Sequence, residues 1–317
     1  MPNYQGVWDI TTQFQYAAEW NSDNQNPDLT RGVFAGGVGD KDVMDYILVS
    51  TTGNATDFGD LSVGRDLLAV GSLASSTRGV FGGGNPSSGV SDVMDYITIA
   101  STGDATDFGN LVVARHSLAS LSNSVRGIFA GGSGRDDEID YITIASAGNA
   151  TDFGNLTTAG NGVSGLASTT RGVILGFRTN NDPSIENRID YITIGTTGNA
   201  SDFGNLTQVK YAGCALSSNT RGIFAGGYTG SAFVNEIEYI TIASTGNATD
   251  FGNLSHTPAE LAGVSNKTRG VFGGGTGPTN TMEFITIATT GDVTDFGDLT
   301  VARSQLGGTS NGHGGIA

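Results

Sequence analysis

The chain alternates short apolar runs with glycine-rich polar breaks, and this arrangement recurs six times. In the third copy the apolar runs cover residues 118–122, 127–130, 139–145 and 151–156. The third run contains Tyr-Ile-Thr-Ile at 141–144, which is β-branched and aromatic and has the period of two expected of a strand. No copy contains the roughly 10–12 residue helical pattern that a two-helix repeat needs. The pattern therefore predicts four β-strands per copy, named a to d in chain order.

Two short motifs mark each copy. Strand b opens with Arg-Gly, at Arg31, Arg78, Arg126, Arg171, Arg221 and Arg269. Strand d carries Asp-Phe-Gly, with its aspartate at Asp57, Asp107, Asp152, Asp202, Asp250 and Asp295. Successive arginines lie 47, 48, 45, 50 and 48 residues apart, and four strands in a repeat of this length are typical of a β-propeller blade. We expect each arginine to pair with one of these aspartates, within its blade or across to the next.

The strand motifs resemble the kelch repeat. Arg-Gly-Val-Phe-Gly-Gly-Gly at 78–84, followed by Tyr96 and then Phe108, is similar to the kelch double glycine after strand b and its two later aromatics. Phe stands in place of the second aromatic throughout, and the spacing between the two aromatics is longer than in kelch repeats. We expect this Phe to pack between blades, as the larger aromatic of a kelch blade does. The similarity covers residues 31 to about 310. It implies an all-β fold, a closed β-propeller of six four-stranded kelch-like blades.

The number of blades depends on how the ring closes. The first a strand lies near Ala69 and belongs with the b strand at Arg78, so the b strand at Arg31 lacks an a strand before it. Residues 304–310 form an a-like run without a b strand of its own. Six blades result if this run completes the first blade, and closure removes exposed sheet edges. Residues 314–317 are in register with Arg-Gly-Val-Phe, so they either leave the sheet or begin a seventh blade completed by residues 7–12.

Length variation is confined to one kind of connection. The distance from the c-strand aromatic to the d-strand Phe is 12 residues in all six copies, whereas the distance from strand b to the c-strand aromatic runs 12, 15, 12, 17, 15 and 12. Antiparallel strands place the b–c and d–a connections on one face of the ring, which we call the variable face. Loops of variable length on a rigid scaffold commonly carry binding. The alternative is that these loops drift without a function.

The variable face contains the candidate ligand-binding residues. Four cations follow strand d at the same position, near the mouth of the central channel: Arg65, Arg115, Lys210 and Arg303. They predict a site for a carboxylate, sulfate or sugar acid, since guanidinium groups match such anions. The alternative is that they pair with the acid before each c-strand aromatic, which is Asp45, Asp95, Asp140, Asp190, Glu238 or Glu283. Arg178, Asn181, Tyr228 and Phe233 in the longer b–c loops complete the candidate set.

Charge and composition narrow the function classes. The net charge is −16, from 31 acidic and 15 basic residues, which disfavours nucleic-acid binding because phosphates would be repelled. No apolar run is long enough to span a membrane and no signal peptide is apparent, so membrane insertion is not expected. Cys214 is alone, and His116, His256 and His313 occupy unrelated repeat positions. We therefore expect no disulfide, metal, cofactor or catalytic residue.

Residues 1–28 differ from the repeats at 29–317. Both tryptophans of the chain, Trp8 and Trp20, lie in this N-terminal segment. The spacing of its apolar residues fits a strand and a helix equally well. We predict a docking or capping segment, because exposed tryptophan commonly anchors an interface.

The amino-acid sequence of the repeats also resembles that of bacteriophage proteins. Tyr-Ile-Thr-Ile-Ala-Ser-Thr-Gly-Asn-Ala-Thr-Asp-Phe-Gly-Asn-Leu at 239–254 is similar to repeats in virion structural and tail-fibre proteins, notably of marine phages. The resemblance implies a non-enzymatic virion protein, made in the host cytoplasm and exposed outside the cell. It would present variable loops to a host-surface glycan or other anion and bind other virion proteins through residues 1–28. The alternatives are a passive structural or decoration protein of the virion and a glycan-active enzyme.

Overall fold

Six four-stranded antiparallel blades form a closed β-propeller in the computed structural model of the chain. The structure describes residues 30–39, 41–68, 71, 73–133, 136–179 and 184–316. The predicted docking segment at 1–28 and the candidate Asn181 lie outside these ranges. The described part of the chain contains strands and turns without a helix, and hence no helix that could cross a membrane.

The strands follow the predicted a-to-d order in each copy. Those of the first three blades are β1 (Arg31–Ala35), β2 (Val43–Leu48), β3 (Thr56–Asp60), β4 (Arg78–Gly82), β5 (Val93–Thr98), β6 (Thr106–Asn110), β7 (Ala119–Ser122), β8 (Arg126–Ala130), β9 (Glu138–Thr143) and β10 (Thr151–Asn155). Those of the last three are β11 (Ser164–Ala167), β12 (Arg171–Arg178), β13 (Ile185–Thr193), β14 (Ser201–Asn205), β15 (Cys214–Ser217), β16 (Arg221–Ala225), β17 (Glu236–Thr241), β18 (Thr249–Asn253), β19 (Ala262–Ser265), β20 (Arg269–Gly273), β21 (Thr279–Thr286) and β22 (Thr294–Arg303). The chain ends its sheet structure with β23 (Gly307–Ser310).

The first blade is completed by the C-terminal strand, as predicted. β23 pairs antiparallel with β1, with Gly32 opposite Ser310 and Ala35 opposite Gly307. The sheet order of this blade is β23-β1-β2-β3, so the pairing of β23 with β1 closes the ring within this blade. The six-bladed interpretation is therefore confirmed and the seven-bladed alternative is wrong.

The second blade receives its inner strand from residues just before Arg78. Ala74 forms an antiparallel bridge with Gly79, and the Val80 N–H donates to the Leu73 carbonyl at 3.0 Å. The sequence placed the first a strand near Ala69, which lies outside the described residues, and the observed segment follows a few residues later.

The Phe of each Asp-Phe-Gly motif packs between neighbouring blades. Phe153 of the third blade is 2 % exposed and belongs to a cluster that includes Ile139 of its own blade and Ile192 and Ile194 of the fourth. Its ring lies edge-on to Tyr141, with centroids 6.1 Å apart, and the same aromatic pair occurs in all six blades. The inter-blade role expected of this Phe is confirmed.

The arginines that open strand b do not form the predicted ion pairs. The Arg126 guanidinium stacks 4.4 Å above the Tyr141 ring, and its Nη1 donates to the Ile194 carbonyl of the next blade at 2.9 Å. The other five arginines repeat both contacts. Strand alternation explains the error: the buried Phe153 forces the preceding Asp152 outward, where it is exposed. The six arginines therefore link blades through aromatic faces and carbonyl groups, and the aspartates Asp57, Asp107, Asp152, Asp202, Asp250 and Asp295 face solvent.

Candidate binding site

The four cations predicted to bind an anion are instead buried in ion pairs. Their side chains are 0 % exposed, and each contacts the acid before a c-strand aromatic. The pairs are Arg65 Nη2–Asp95 Oδ2 (2.8 Å), Arg115 Nη2–Asp140 Oδ2 (2.8 Å), Lys210 Nζ–Glu238 Oε1 (3.4 Å) and Arg303 Nη2–Asp45 Oδ2 (2.6 Å). An external anion cannot reach a cation that is fully covered and already neutralised. The anion-site hypothesis for these four residues is therefore wrong, and the alternative pairing with the acids holds.

The fourth blade shows how the same space is filled without a cation. Here Gly160 occupies the position of the cation. In other blades the arginine packs against a glycine three residues after the apolar residue of strand b, and in the fourth blade this glycine is replaced by Phe177. A Cβ on Gly160 would lie 2.9 Å from the Phe177 ring, whereas a Cβ on Gly37 would lie 3.1 Å from Arg303 Cβ. The large and small residues have thus changed places. The carboxylate left behind, Asp190, accepts hydrogen bonds from the Thr157 backbone and hydroxyl, and burial raises its pKa against the effect of those bonds.

Two residues after each cation position, the six d–a connections converge on the channel mouth. The residues there are Leu67, Ser117, Gly162, Ala212, Glu260 and Gln305, and all six have φ between 51° and 66°. The five that are not glycine are also the five non-glycine residues with positive φ in the described part of the chain. Left-handed backbone costs a non-glycine residue about 1–2 kcal/mol, so the surrounding structure must hold these residues in place.

Backbone hydrogen bonds from blade to blade hold this ring. The N–H groups of Ser117, Gly162, Ala212, Glu260 and Gln305 each donate to the carbonyl of the equivalent residue in the preceding connection, at 2.7–2.9 Å. The left-handed conformation turns each N–H toward that neighbour. We call these six residues the mouth ring.

The mouth ring surrounds a cavity of about 250 Å³ on the variable face. Its walls include residues of the mouth ring and the residues before and after them, with Arg178 from the end of β12. Leu68, Val163 and Leu306 supply apolar surface. The polar groups are His116, Ser117, Asn161, Arg178, Tyr211, Glu260 and Gln305. A small concave site with a few convergent polar groups is the usual form of a ligand pocket.

Two titratable residues of the cavity wall, His116 and Glu260, have pKa values shifted in opposite directions. Burial raises the pKa of Glu260, with Asp66 adding to the rise and the hydrogen bond from Gln305 Nε2 (3.0 Å) opposing it. Burial lowers the pKa of His116, with Asp66 opposing. Both shifts favour the neutral form of the side chain, as desolvation does. At these two positions the cavity wall therefore favours neutral hydrogen-bonding groups.

An aromatic group extends from the cavity along the fifth blade. The Arg178 guanidinium lies 5.3 Å from the Tyr211 ring centroid, and Tyr211 contacts Tyr228 edge-on at 6.0 Å. Phe233 follows at 4.9 Å from Tyr228 and is 45 % exposed. The predicted candidates Arg178, Tyr228 and Phe233 are therefore brought together beside the cavity. Tyr211, which connects them to it, was not among the candidates.

The opposite end of the channel is closed by the C-terminal residues. After β23 the chain leaves the sheet and enters the channel, where the Gly314 N–H donates to the Ser217 carbonyl at 3.0 Å. His313 is 2 % exposed, and its Nε2 lies 3.2 Å from Ser122 Oγ. Ser122 and Ser217 are the last residues of β7 and β15, and they lie on the face opposite the variable face. Access to the cavity is therefore from the variable face.

His313 should make stability fall at mildly acidic pH. The Gly315 N–H donates to its Nδ1 at 3.1 Å, and burial lowers its pKa from 6.5 to about 4, against the opposing Ala74 carbonyl. The unfolded chain binds a proton below pH 6.5, whereas the folded protein does so only near pH 4. Stability present above pH 6.5 is therefore lost as the pH falls to 4, by on the order of 3 kcal/mol. Urea unfolding of wild type and His313→Gln across this range should show the difference between them shrinking toward pH 4. A constant difference would contradict this assignment.

The mouth ring was missed by the sequence analysis, although a signal for it was present. The candidates predicted in the d–a connections end at the cation position. Two residues further on, six nearly identical repeats carry six different residues. The residue just before each mouth-ring residue also differs in all six copies, so the signal is variation along this part of the d–a connection.

Comparison with known proteins adds no identity. Neither known protein families nor curated proteins contain a match to this chain. The fold defines the class, a six-bladed β-propeller whose repeats are consistent with the kelch type.

Proposed function

We propose that this protein is a non-enzymatic recognition module that binds a host-surface glycan in the cavity on its variable face. The observation that carries the proposal is the mouth ring, where one backbone geometry presents six different residues, five with a side chain and one glycine, to one cavity. Residues held in unfavourable backbone regions cluster at ligand sites. Diversity on a rigid repeated frame suits recognition, because the frame stays the same while the contacts change.

The chemistry of the cavity suits a sugar. A sugar ring has hydroxyl groups at its edge and C–H groups on its faces, so it needs hydrogen-bonding partners beside apolar or aromatic surface. Asn161, Gln305 and Glu260 supply hydrogen-bond donors and acceptors. Tyr211 supplies a flat aromatic surface, and Leu306 supplies further apolar surface. A volume of about 250 Å³ corresponds to roughly eight water molecules at about 30 Å³ each, which accommodates one sugar unit.

We place the protein in a virion, as part of a tail fibre or appendage. The support is the sequence at 239–254, which resembles phage virion repeats, and an acidic surface that suits an exposed protein at high copy number. Residues 1–28, with Trp8 and Trp20, would dock onto another virion protein. Deleting 1–28 should then abolish co-purification with tail or baseplate proteins, and unchanged co-purification would contradict the docking role.

A glycan array combined with a host-envelope binding assay tests the recognition function. Ser117→Trp fills the cavity from the mouth ring and should weaken glycan binding at least tenfold. Val125→Trp is the matched control, because Val125 is 63 % exposed in an a–b connection on the opposite face. Thermal melting checks that both variants remain folded. Glu260→Gln provides a milder change in the same cavity wall.

Two results would contradict the proposal. Equal binding by the Ser117→Trp and Val125→Trp proteins would remove the cavity from recognition, and silence on the array and on every envelope fraction would favour a passive structural role. Release of free sugar from a bound glycan, followed by mass spectrometry, would contradict the non-enzymatic assignment.

A further inference from the structure

Arg178 differs from the other cations of the variable face in its electrostatic environment. Arg65, Arg115, Lys210 and Arg303 are covered and neutralised by buried acids. Arg178 is only partly buried and makes no ion pair with any residue that the structure describes. A cation that is partly desolvated and not neutralised gains from an incoming negative charge.

A backbone bridge holds Arg178 at the cavity wall. Arg178 is the last residue of β12, and its backbone exchanges two hydrogen bonds of 3.0 Å with that of Asn161 in the d–a connection. Asn85 and Tyr228, at the same position of the second and fifth blades, make the same bridge to their d–a connections. The guanidinium then lies over the Tyr211 ring, which orients its plane.

The cavity wall opposite Arg178 carries an amide and a carboxyl group. The connection that carries Gln305 is three blades away from the one that carries Gly162, so in a six-fold ring it faces the Asn161–Arg178 wall. Gln305 donates to Glu260 at 3.0 Å, and burial raises the pKa of Glu260. Glu260 lies two connections from Gly162, so its carboxyl group and Arg178 do not neutralise each other. The cavity thus presents a cation at one wall and a hydrogen-bonding amide and carboxyl pair at the other.

We propose that the ligand is an acidic sugar, with its carboxylate bound by Arg178 and its hydroxyl groups facing Glu260 and Gln305. This inference rests on the proposed glycan-binding function and narrows its ligand class. The planar guanidinium matches a carboxylate with two parallel hydrogen bonds, and such charge-assisted bonds are about twice as strong as neutral ones. The Tyr211 ring holds the guanidinium and offers its edge and neighbouring aromatics to the sugar.

Matched pairs of sugars test the ligand class directly. The methyl glycosides of glucuronic, galacturonic and mannuronic acid differ from those of glucose, galactose and mannose by a carboxylate in place of a hydroxymethyl group. Titration calorimetry should show at least one acid binding roughly tenfold or more tighter than its neutral parent. Arg178→Gln should remove that preference. Arg188→Gln is the control, because Arg188 pairs with Glu186 outside the cavity wall.

The outcomes separate this inference from the function on which it rests. If neutral sugars bind in the cavity and no acid binds tighter than its parent, the acidic-ligand inference is overturned while glycan recognition stands. If an acid is preferred and Arg178→Gln leaves the preference unchanged, Arg178 is not the anion partner and the inference is also overturned. If no sugar binds here and the glycan array is silent, the recognition function itself fails.

Discussion

Replacing Arg303 by methionine should lower the free energy of unfolding by about 3–5 kcal/mol. Arg303 and Asp45 are both 0 % exposed and lie 2.6 Å apart, and Arg303 also donates to the Val43 carbonyl at 2.7 Å. Removing the guanidinium leaves Asp45 charged in a dry environment, where Thr300 is its remaining hydrogen-bond donor among the residues that the structure describes. The pair joins the last d–a connection to the first blade, so its loss also weakens ring closure. Urea unfolding at pH 7 measures the change.

A second variant distinguishes an unpaired buried charge from lost packing. Arg303→Met combined with Asp45→Asn removes the charge and should recover most of the stability. A single variant within about 1 kcal/mol of wild type at pH 7, or a double variant no better than the single, would contradict the charge explanation.

Replacing Gly297 by alanine should cost about 4 kcal/mol, from steric overlap and backbone strain together. Gly297 has a φ of 139°, and a Cβ at this position would lie 2.5 Å from the Gly53 carbonyl oxygen. The adjacent Phe296 carbonyl accepts a hydrogen bond from the Gly53 N–H at 2.8 Å, so neither backbone is free to move apart. This contact joins the sixth blade to the first. Thermal and urea unfolding should both show the loss.

The chain offers a close control for this substitution. Gly195 occupies the position held by alanine in several other copies, such as Ala145, and a Cβ there has no neighbour within 4 Å. Gly195→Ala should therefore be neutral or slightly stabilising, because it only restricts the unfolded chain. Equal effects of the two substitutions would show that the close approach of blades is not what requires glycine at 297.

The same inter-blade contact explains why the glycine of Asp-Phe-Gly occurs in every copy. In each of the six blades a Cβ on this glycine would meet the backbone of the next c–d connection at 2.6 Å or less. The motif therefore has two functions in the contact between blades. Its Phe fills the gap between blades, and its Gly lets the next backbone come near. The c–d connections therefore contribute to the assembly of the ring.

The fold was predictable because it depends on local, repeated patterns. Alternation identified each strand, the even spacing of Arg31 and its equivalents identified the blade, and the unmatched run at 304–310 predicted closure. The inter-blade role of the Phe followed from its position in the repeat. These features need only the period of a strand and the rule that sheet edges avoid exposure.

The site was predicted only in part. Arg178, Tyr228 and Phe233 were placed correctly on the variable face because loop length varies there. The anion hypothesis for Arg65 and its equivalents failed because sequence spacing does not show that a cation and an acid meet between blades and exclude water. The pairing of Arg31 with Asp57 failed because opposite charges in one repeat need not share a side of the strand.

The sequence by itself determined the number of strands, their grouping into six blades, and the face on which variation is allowed, since each of these follows from local periodicity. Only the tertiary structure decided which cations are neutralised, which residues surround the cavity, and where residues 313–316 lie. Those facts depend on distances between groups far apart in the chain, such as Arg303 and Asp45. The closed ring creates these distances, and no single repeat contains them.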